Sequence, residues 1–446
     1  MGCIFLLCTL FILQVVPDRF EDDPPKKLSI VQAIERARVK NPNYLSAEAS
    51  VEAAHADLKG ALGMLLPNVR VQSNYTHFIN PQVFTIEPRT FINPTKETIR
   101  FTLLPNNALD ATGVLTQPIF DNLAFSGYKS SKINLELAKL KTIKSFNMLA
   151  LQVKQSYYQV LLTKFLLEVN IVTLDYANQN LDVVEQKYKN GETSEYDLLR
   201  ARVQKSNAYP PFLQAKNNLI KAKNTLRELL NIPFEHDFVL TDTLFEKVPQ
   251  RLDTLVTSQD VYSSTDYMVQ ELNEVGASQQ IKVNEAEYWP VLSFNGTYQR
   301  SFLNGLNPAT GYLDYNAFVG VRLTYTLFGG GARKAKVEKA KAMFSMARLS
   351  KENSFLDLKK KLIDSILEVN RSVSEIEAQE GALNQARRAL EIAFERYDLG
   401  VGTQLEIISG QESLRAAMAN YANAYYEYLI NMSQYDYLTK DYEAEY

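Results

Sequence analysis

The sequence predicts an α+β fold in which long coiled-coil helical hairpins and four β-strands occur in two copies of one plan. Three observations predict it: an internal repeat, a seven-residue spacing of apolar side chains along two very long segments, and strands whose side chains alternate in polarity. The chain has 446 residues, of which 46% are hydrophobic, which is enough for a large buried core.

The internal two-fold repeat is visible in the order of matching segments. Residues 66–75 match 289–298 at an offset of 223, whereas 188–191 match 397–400 at an offset of 209. The offset falls between the strands of each half, so the first half has a loop about 15 residues longer. Each repeat therefore has the order helix, strand, loop, strand, long helix, turn, helix.

The predicted organisation follows from this repeat. Its segments are a predicted signal segment (1–17), an N-terminal linker (18–27), repeat 1 (28–230), an equatorial linker (231–261), repeat 2 (262–437) and a C-terminal tail (438–446). Repeat 1 has strands at about 68–77 and 109–120, a long helix at about 122–190 and a returning helix at about 194–230. The corresponding elements of repeat 2 are strands at about 291–300 and 313–328, a long helix at about 332–399 and a returning helix at about 403–437.

The first residues are typical of a secretory signal. Residues 3–16 are almost entirely apolar, too short a run to span a bilayer as a helix but long enough for a signal h-region. No basic residue precedes the run and no small-x-small cleavage site follows it. Leu7 precedes Cys8, where a lipoprotein acceptor site requires a small residue. A short buried helix is the alternative, but the charged, proline-containing stretch that follows favours a signal.

The long helices give the strongest periodic signal. Apolar or aromatic residues recur every seven positions in both halves, which predicts slightly under-wound helices that pack as coiled coils. The segment from Leu123 to Lys189 has 67 residues, and at 1.5 Å per residue it is roughly 100 Å long. The two series, offset by 209, are Phe146, Val153, Val160, Leu167, Leu174, Leu181 and Tyr188, and Phe355, Leu362, Val369, Ile376, Leu383, Leu390 and Tyr397.

Both long helices end in matching turns. Gly191 and Gly400 stand where a left-handed residue closes a helix. Ser194 with Asp197, and Thr403 with Glu406, have the spacing of capping boxes that open the returning helices. The first returning helix contains two adjacent prolines at 210–211, which we expect to kink or interrupt it because two backbone donors are lost.

The four strands alternate in polarity over lengths that suit a membrane. In the fourth strand, apolar side chains from Leu313 to Leu327 alternate with mostly polar ones. No helix is left to cover these apolar faces locally, and four strands leave open edges, so we expect several copies to share one barrel. A half-buried soluble sheet is the alternative for any strand alone. Pro118 is expected to end the second strand.

The sequence gives no sign of catalysis or of a cofactor. It lacks the phosphate-binding, metalloprotease and serine-hydrolase motifs, and its three histidines lie far apart, so we expect no enzyme, no cofactor and no metal site. The glycine run 329–331 is interpreted as a joint between strand and helix. The formal net charge of −3 provides no basic excess and argues against a nucleic-acid partner.

Together these motifs resemble the TolC-like outer-membrane efflux family, the outer membrane factors. The resemblance covers nearly the whole chain. It depends on Leu66-Pro67 and Trp289-Pro290 before a strand, the segments 117–121 and 326–330 before the long helices, and the two Tyr-x-x-Gly turns.

The resemblance implies an architecture, a location and partners. It implies a homotrimer in which the helical hairpins form an α-barrel across the periplasm, joined to a shared twelve-stranded transmembrane β-barrel with four strands from each chain. It places the protein in the bacterial outer membrane, extending into the periplasm and contacting outer-membrane lipid. The implied function is passive export, coupled through a periplasmic adaptor to an inner-membrane pump or secretion ATPase.

The resemblance also assigns roles to the hairpin tips, which would form the periplasmic entrance and meet the adaptor. Asp197 and Glu406 match acidic positions that ring the constriction, and Ser409 occupies a second such position without a charge. We expect both acids to act in capping, and gating would be added to that role. Hairpin packing is favoured over ligand binding for the two tyrosines of the turns. The candidates for the tip turns and for adaptor contact are Tyr188, Gly191, Ser194, Tyr397, Gly400 and Thr403.

A soluble or periplasmic coiled-coil scaffold or adaptor protein is the competing function. It would explain the heptads and the helical hairpins. It would not explain long alternating strands at matched places in both halves, nor the secretory-like start.

Overall fold

A computed structural model describes residues 26–80, 83–89, 97–102, 107–253, 256–303, 312–440 and 442. The predicted signal segment with Cys3 and Cys8, most of the predicted N-terminal linker and the end of the C-terminal tail lie outside the described residues. The fold is helix-rich, with strands placed at matching points of a duplicated order, and the predicted fold class is confirmed.

Eight helices occur in the described part of the chain. They are α1 (Ile30–Lys40), α2 (Pro42–Gly63), α3 (Asn122–Lys189), α4 (Glu195–Leu230), α5 (Ser258–Tyr262), α6 (Thr265–Ala286), α7 (Ala332–Asp398) and α8 (Gln404–Thr439). None of these helices combines the length and the apolar character needed to cross a membrane.

Eight strands occur in the same described residues. They are β1 (Lys27–Leu28), β2 (Asn68–His77), β3 (Val83–Ile86), β4 (Ile99–Thr102), β5 (Asn107–Phe120), β6 (Val239–Leu240), β7 (Val291–Leu303) and β8 (Tyr312–Thr324). β3 and β4 form a small antiparallel hairpin inside the loop that makes the first half longer.

The chain divides into two compact units. One, the helical unit, comprises the described parts of Met1–Ser50, Lys139–Val269 and Glu352–Tyr446. The other, the strand unit, comprises the described parts of Val51–Ala138 and Gln270–Lys351.

The core of the helical unit is built on the seven-residue apolar series. Phe146, Val153 and Val160 of α3 are buried, as are Leu362 and Val369 of α7. A seven-residue repeat keeps one seam of each helix against its neighbours, so the same position is buried every second turn. Tyrosines of α8 join this core, where Tyr421, Tyr425 and Tyr428 pack as expected for helix packing.

A buried tyrosine connects α3 with two short strands. The Tyr157 hydroxyl lies 3.0 Å from the Leu28 carbonyl oxygen and 2.8 Å from Asp242 Oδ2. Burial, together with the hydrogen bond to Asp242, raises the pKa of Tyr157 well above its usual range. β1 pairs in parallel with β6 here, so the predicted linkers before and between the repeats contribute ordered backbone to the helical unit.

The expected interruption of the first returning helix does not occur, because α4 is continuous through Pro210 and Pro211. Both prolines lie on an exposed stretch of the helix. The carbonyls of Ser206 and Asn207, four residues earlier, lose their donors but face solvent, and proline's fixed φ is compatible with a helix.

Two expectations about strand ends are wrong: Pro118 does not end the second strand, and the fourth strand stops before 328. β5 continues past Pro118 to Phe120, with a register irregularity between those residues that absorbs the missing proline donor. β2 has by then stopped pairing at Thr116, so Pro118 lies where β5 is paired on one side only. β8 ends at Thr324, opposite Val291, the first residue of β7, because β7 offers no partner beyond it.

The strand unit contains an antiparallel sheet of order β2-β5-β7-β8. Among the described residues the outer edges of β2 and β8 pair with no strand. Because directly paired residues share a face, the register sorts the side chains into two faces. The apolar face contains Val69, Val71, Tyr75, Leu115, Phe294, Tyr298, Val319, Val321 and Leu323; the polar face contains Asn68, Arg70, Gln72, Asn74, Thr112, Thr116, Asn295, Thr297, Gln299, Asn316 and Arg322.

Candidate functional site

The first hairpin tip is a tight turn between α3 and α4. Gly191 has a φ of 77°, a left-handed conformation that glycine adopts without strain. The Glu192 amide donates to the Lys187 carbonyl oxygen at 2.8 Å, and the Gly191 amide donates to the Tyr188 carbonyl oxygen at 3.0 Å. These two bonds satisfy carbonyls that the end of α3 would leave unpaired.

The returning helix begins with a bonded side-chain pair. Ser194 is the N-cap of α4, and its hydroxyl oxygen accepts from the Asp197 amide at 3.2 Å. The Asp197 carboxylate in turn accepts from the hydroxyls of Ser194, at 2.6 Å, and Thr193, at 3.0 Å. These hydroxyl bonds, Ser194 first, lower the pKa of Asp197 below its ordinary value, so its charge is stabilised at the tip.

The second hairpin tip, between α7 and α8, repeats the first at an offset of 209. Gly400 has a φ of 74°, its amide donates to the Tyr397 carbonyl oxygen at 3.0 Å, and the Val401 amide donates to the Arg396 carbonyl oxygen at 3.0 Å. Thr403 is the N-cap of α8 and accepts from the Glu406 amide at 3.3 Å.

The two tips differ one residue before the N-cap. Gly402 stands where the first tip has Thr193, and a Cβ at Gly402 would lie 2.8 Å from the Tyr397 amide nitrogen. The second tip therefore excludes a side chain there, and no hydroxyl comes from that position. Glu406 pairs instead with Arg396 of α7, whose Nε lies 3.1 Å from Glu406 Oε2.

The remaining candidates have distinct environments. Ser409 is exposed on α8, one turn beyond Glu406. Tyr397 is half-buried against Leu390, Ala393 and Ile407, whereas Tyr188 is 42% exposed. Asp197 and Glu406 are each bound within their own turn.

Contacts between the two hairpins were not predicted from the sequence. Lys187 of the first hairpin lies over the Tyr397 ring, 4.9 Å from its centroid, and its Nζ donates to the Tyr397 hydroxyl at 3.3 Å. Further along, Asn180 bonds both Gln204, at 2.9 Å, and Gln404, at 3.3 Å. Gln204 also donates to Gln411 at 3.2 Å. The sequence feature that could have revealed Asn180 is its position, because it is a polar residue directly before Leu181 of the apolar heptad series.

Two recesses lie beside these amide bridges in the helical unit. One is a polar cavity of about 460 Å³ whose lining includes Arg200, Gln204, Gln411 and Arg415. The other is an apolar cavity of about 170 Å³ whose lining includes Phe165, Val169, Leu390 and Leu414. Both exist only once the hairpins pack together, which is why sequence spacing did not reveal them.

Among the residues that the structure describes, no three His, Cys, Asp or Glu side chains come together in an arrangement that could hold a metal ion. The two tips present charged and hydrogen-bonding side chains around two helical turns.

Comparisons with known proteins agree with this architecture. A sequence model of the family described as "Outer membrane efflux protein" matches residues 33–231 and 263–434, one segment in each repeat. Outer membrane protein TolC of Escherichia coli K12 is 23% identical over 417 residues, covering 90% of this chain and 80% of TolC. Alkaline protease secretion protein AprF of Pseudomonas aeruginosa is 21% identical over 325 residues, covering 71% and 66% of the two chains.

A solved structure of another outer membrane protein has a similar fold. The outer membrane protein VceC of Vibrio cholerae superposes with a TM-score of 0.72 at 16% identity, over 92% of this chain and 96% of VceC. The predicted family and the predicted outer-membrane location, extending into the periplasm, are confirmed. The chain belongs to the outer membrane efflux protein family of efflux and secretion channels.

Proposed function

We propose that this chain is the exit duct of a tripartite efflux or secretion system, a passive conduit coupled through a periplasmic adaptor to an inner-membrane pump or secretion ATPase. The observation that carries the proposal is the sheet of the strand unit. Its apolar face is open, with Val71 77% and Val321 63% exposed, and both of its edges lack a partner among the described residues. Such a sheet is stable in lipid when sister copies close it.

Family membership supports three copies, with four strands from each closing into one barrel. β2 and β8 run in opposite directions, so β8 of one copy and β2 of the next can continue the antiparallel order. The homotrimer, its contact with outer-membrane lipid and the absence of a nucleic-acid partner are parts of this proposal.

The hairpin tips form the periplasmic entrance in this account. The adaptor meets the turns that contain Tyr188, Gly191 and Ser194 in the first hairpin, and Tyr397, Gly400 and Thr403 in the second. Asp197 and Glu406 place acidic groups at the entrance. Arg396 compensates Glu406, and Ser409 adds no charge, so Asp197 is the stronger contributor of negative potential.

A planar-bilayer recording tests both the conduit and the role of the tips. The purified protein should carry single-channel ion current, and the double variant Asp197→Asn/Glu406→Gln should reduce its preference for cations. The matched control is Glu377→Gln on α7, an exposed acid that is also paired with an arginine, Arg251. An unchanged cation preference in the double variant would remove the two acids from that role.

Fractionation separates this function from the scaffold alternative. The duct should stay in the outer membrane through a high-salt wash and should leave it only with detergent. A protein that is released by salt and migrates as a single chain would be the coiled-coil scaffold, and the duct would be excluded.

A further inference from the structure

Two arginines of the strand unit stand at the same end of the sheet. Arg70 is the third residue of β2, which follows α2, and Arg322 is the third residue from the end of β8, which precedes α7. Each therefore lies two residues, or roughly 7 Å, from the end of the sheet that is connected to helices. The two strands are the opposite edges of the sheet.

The strand register places both arginines on the polar face. Arg70 pairs with Val114, which pairs with Thr297, and Arg322 pairs with Ser293. Both arginines are exposed. Within the part of the chain that the structure describes, no hydrogen bond or ion pair holds either guanidinium. Two cationic groups are thus presented to the same side of the sheet without counter-charges.

An acid of the polar face, Asp110, lies at the other end. Asp110 pairs with Asn74, four residues further along β2 than Arg70, and its Oδ1 accepts from the Ser301 hydroxyl at 2.6 Å. The polar face is therefore basic near the helices and acidic at its far end.

We propose that Arg70 and Arg322 form a cationic ring that makes the strand part of the duct prefer anions, so that the cargo it favours is negatively charged. The inference rests on the proposed function, because closing the sheet with sister copies turns its polar face into the wall of the conduit. That closure places Arg322 on the edge strand next to the one that carries Arg70 of the neighbouring copy, and both arginines stand near the helix-connected end of the sheet.

The electrostatic repulsion between the arginines favours binding of an anion at this ring. Like charges on neighbouring strands repel, and no side chain in the described residues neutralises them. A ring of arginines on the wall of a conduit raises the local anion concentration, as charged rings do in selective pores. The charge, and not the shape of the guanidinium, carries the effect, so lysine should substitute for arginine.

The test measures reversal potentials in planar bilayers under a KCl gradient. All variants carry Asp197→Asn/Glu406→Gln, which removes the tip charges and isolates the contribution of the sheet. Arg70→Gln/Arg322→Gln should lower the chloride-to-potassium permeability ratio roughly two- to threefold, and each single variant should lower it by less. Arg70→Lys/Arg322→Lys should keep the ratio of the parent.

The matched control is Arg300→Gln, because Arg300 lies on the opposite face, paired with Ala111 and Tyr315. It should leave the ratio unchanged. The inference would be overturned if the glutamine variants conduct with the permeability ratio of the parent. It would also be overturned if the lysine variants lower that ratio as much as the glutamine variants do. If the parent protein carries no current, the proposed function itself fails, and the cationic ring fails with it.

Discussion

At each hairpin tip, one glycine and one hydroxyl determine where a helix ends and the next begins. Gly191 and Gly400 supply the left-handed residue, and Ser194 and Thr403 accept the amide three residues later. This chemistry involves residues only a few positions apart, so the sequence was sufficient to predict it. The pairing of Glu406 with Arg396 spans the turn and depends on how the hairpin closes.

Removing either N-cap hydroxyl should loosen the start of a returning helix. Ser194→Ala and Thr403→Ala should each lower the local free energy of opening by about 1 kcal/mol, because the amides of Asp197 and Glu406 lose their acceptors. Amide hydrogen exchange at those two positions measures the effect. Ser206→Ala, an exposed site inside α4, is the control, and equal exchange in all three variants would contradict the capping role.

The Asp197 carboxylate should make the first tip sensitive to acid. The hydroxyls of Ser194 and Thr193 lower its pKa below the ordinary 3.8. A depressed pKa in the folded state stabilises the turn at pH values above 3.8, and that contribution is lost as the pH falls below it. The effect is small because Asp197 is only partly buried and solvent screens its charge.

Hydrogen exchange of the first turn of α4 as a function of pH measures this loss. The wild-type protein should lose protection as the pH falls below 3.8, and Asp197→Asn should lose less protection over the same change of pH. Glu195→Gln, in the same turn, controls for removal of a charge alone. An equal loss of protection in the Asp197→Asn variant would show that the depressed pKa of Asp197 does not cause the loss.

At the scale of elements, helices and strands were predictable to different degrees. The seven-residue series is continuous, so α3 and α7 were evident from spacing alone. Strand ends depend on partners: β8 stops at Thr324 because β7 begins at Val291, which the sequence of β8 does not show. The contacts between hairpins, such as Lys187 with Tyr397, likewise require the two hairpins to be packed together.

The two faces of the sheet should tolerate charge differently. Val71→Lys places a cation on the apolar face and should destabilise the membrane-embedded fold by about 2–4 kcal/mol if the site lies near the bilayer midplane. Gln72→Lys, the next residue along β2 but on the polar face, is the matched control and should cost much less. Urea unfolding in lipid vesicles measures both, and equal losses would contradict the assignment of the faces.

At the scale of the whole molecule, the duplicated order explains why one chain has two similar tips and two pairs of main strands. The halves differ in two places: the longer loop of the first half contains the β3–β4 hairpin, and Gly402 stands at the position that corresponds to Thr193. Neither half closes the sheet, since β2 and β8 keep unpaired outer edges among the described residues.

The mass of the protein extracted from the outer membrane in mild detergent tests the central claim most directly, because the account requires sister copies to complete the sheet. Native mass spectrometry should give three chains in one particle, with the separated single chain absent or minor. A particle containing a single chain, stable and still membrane-bound, would contradict the account.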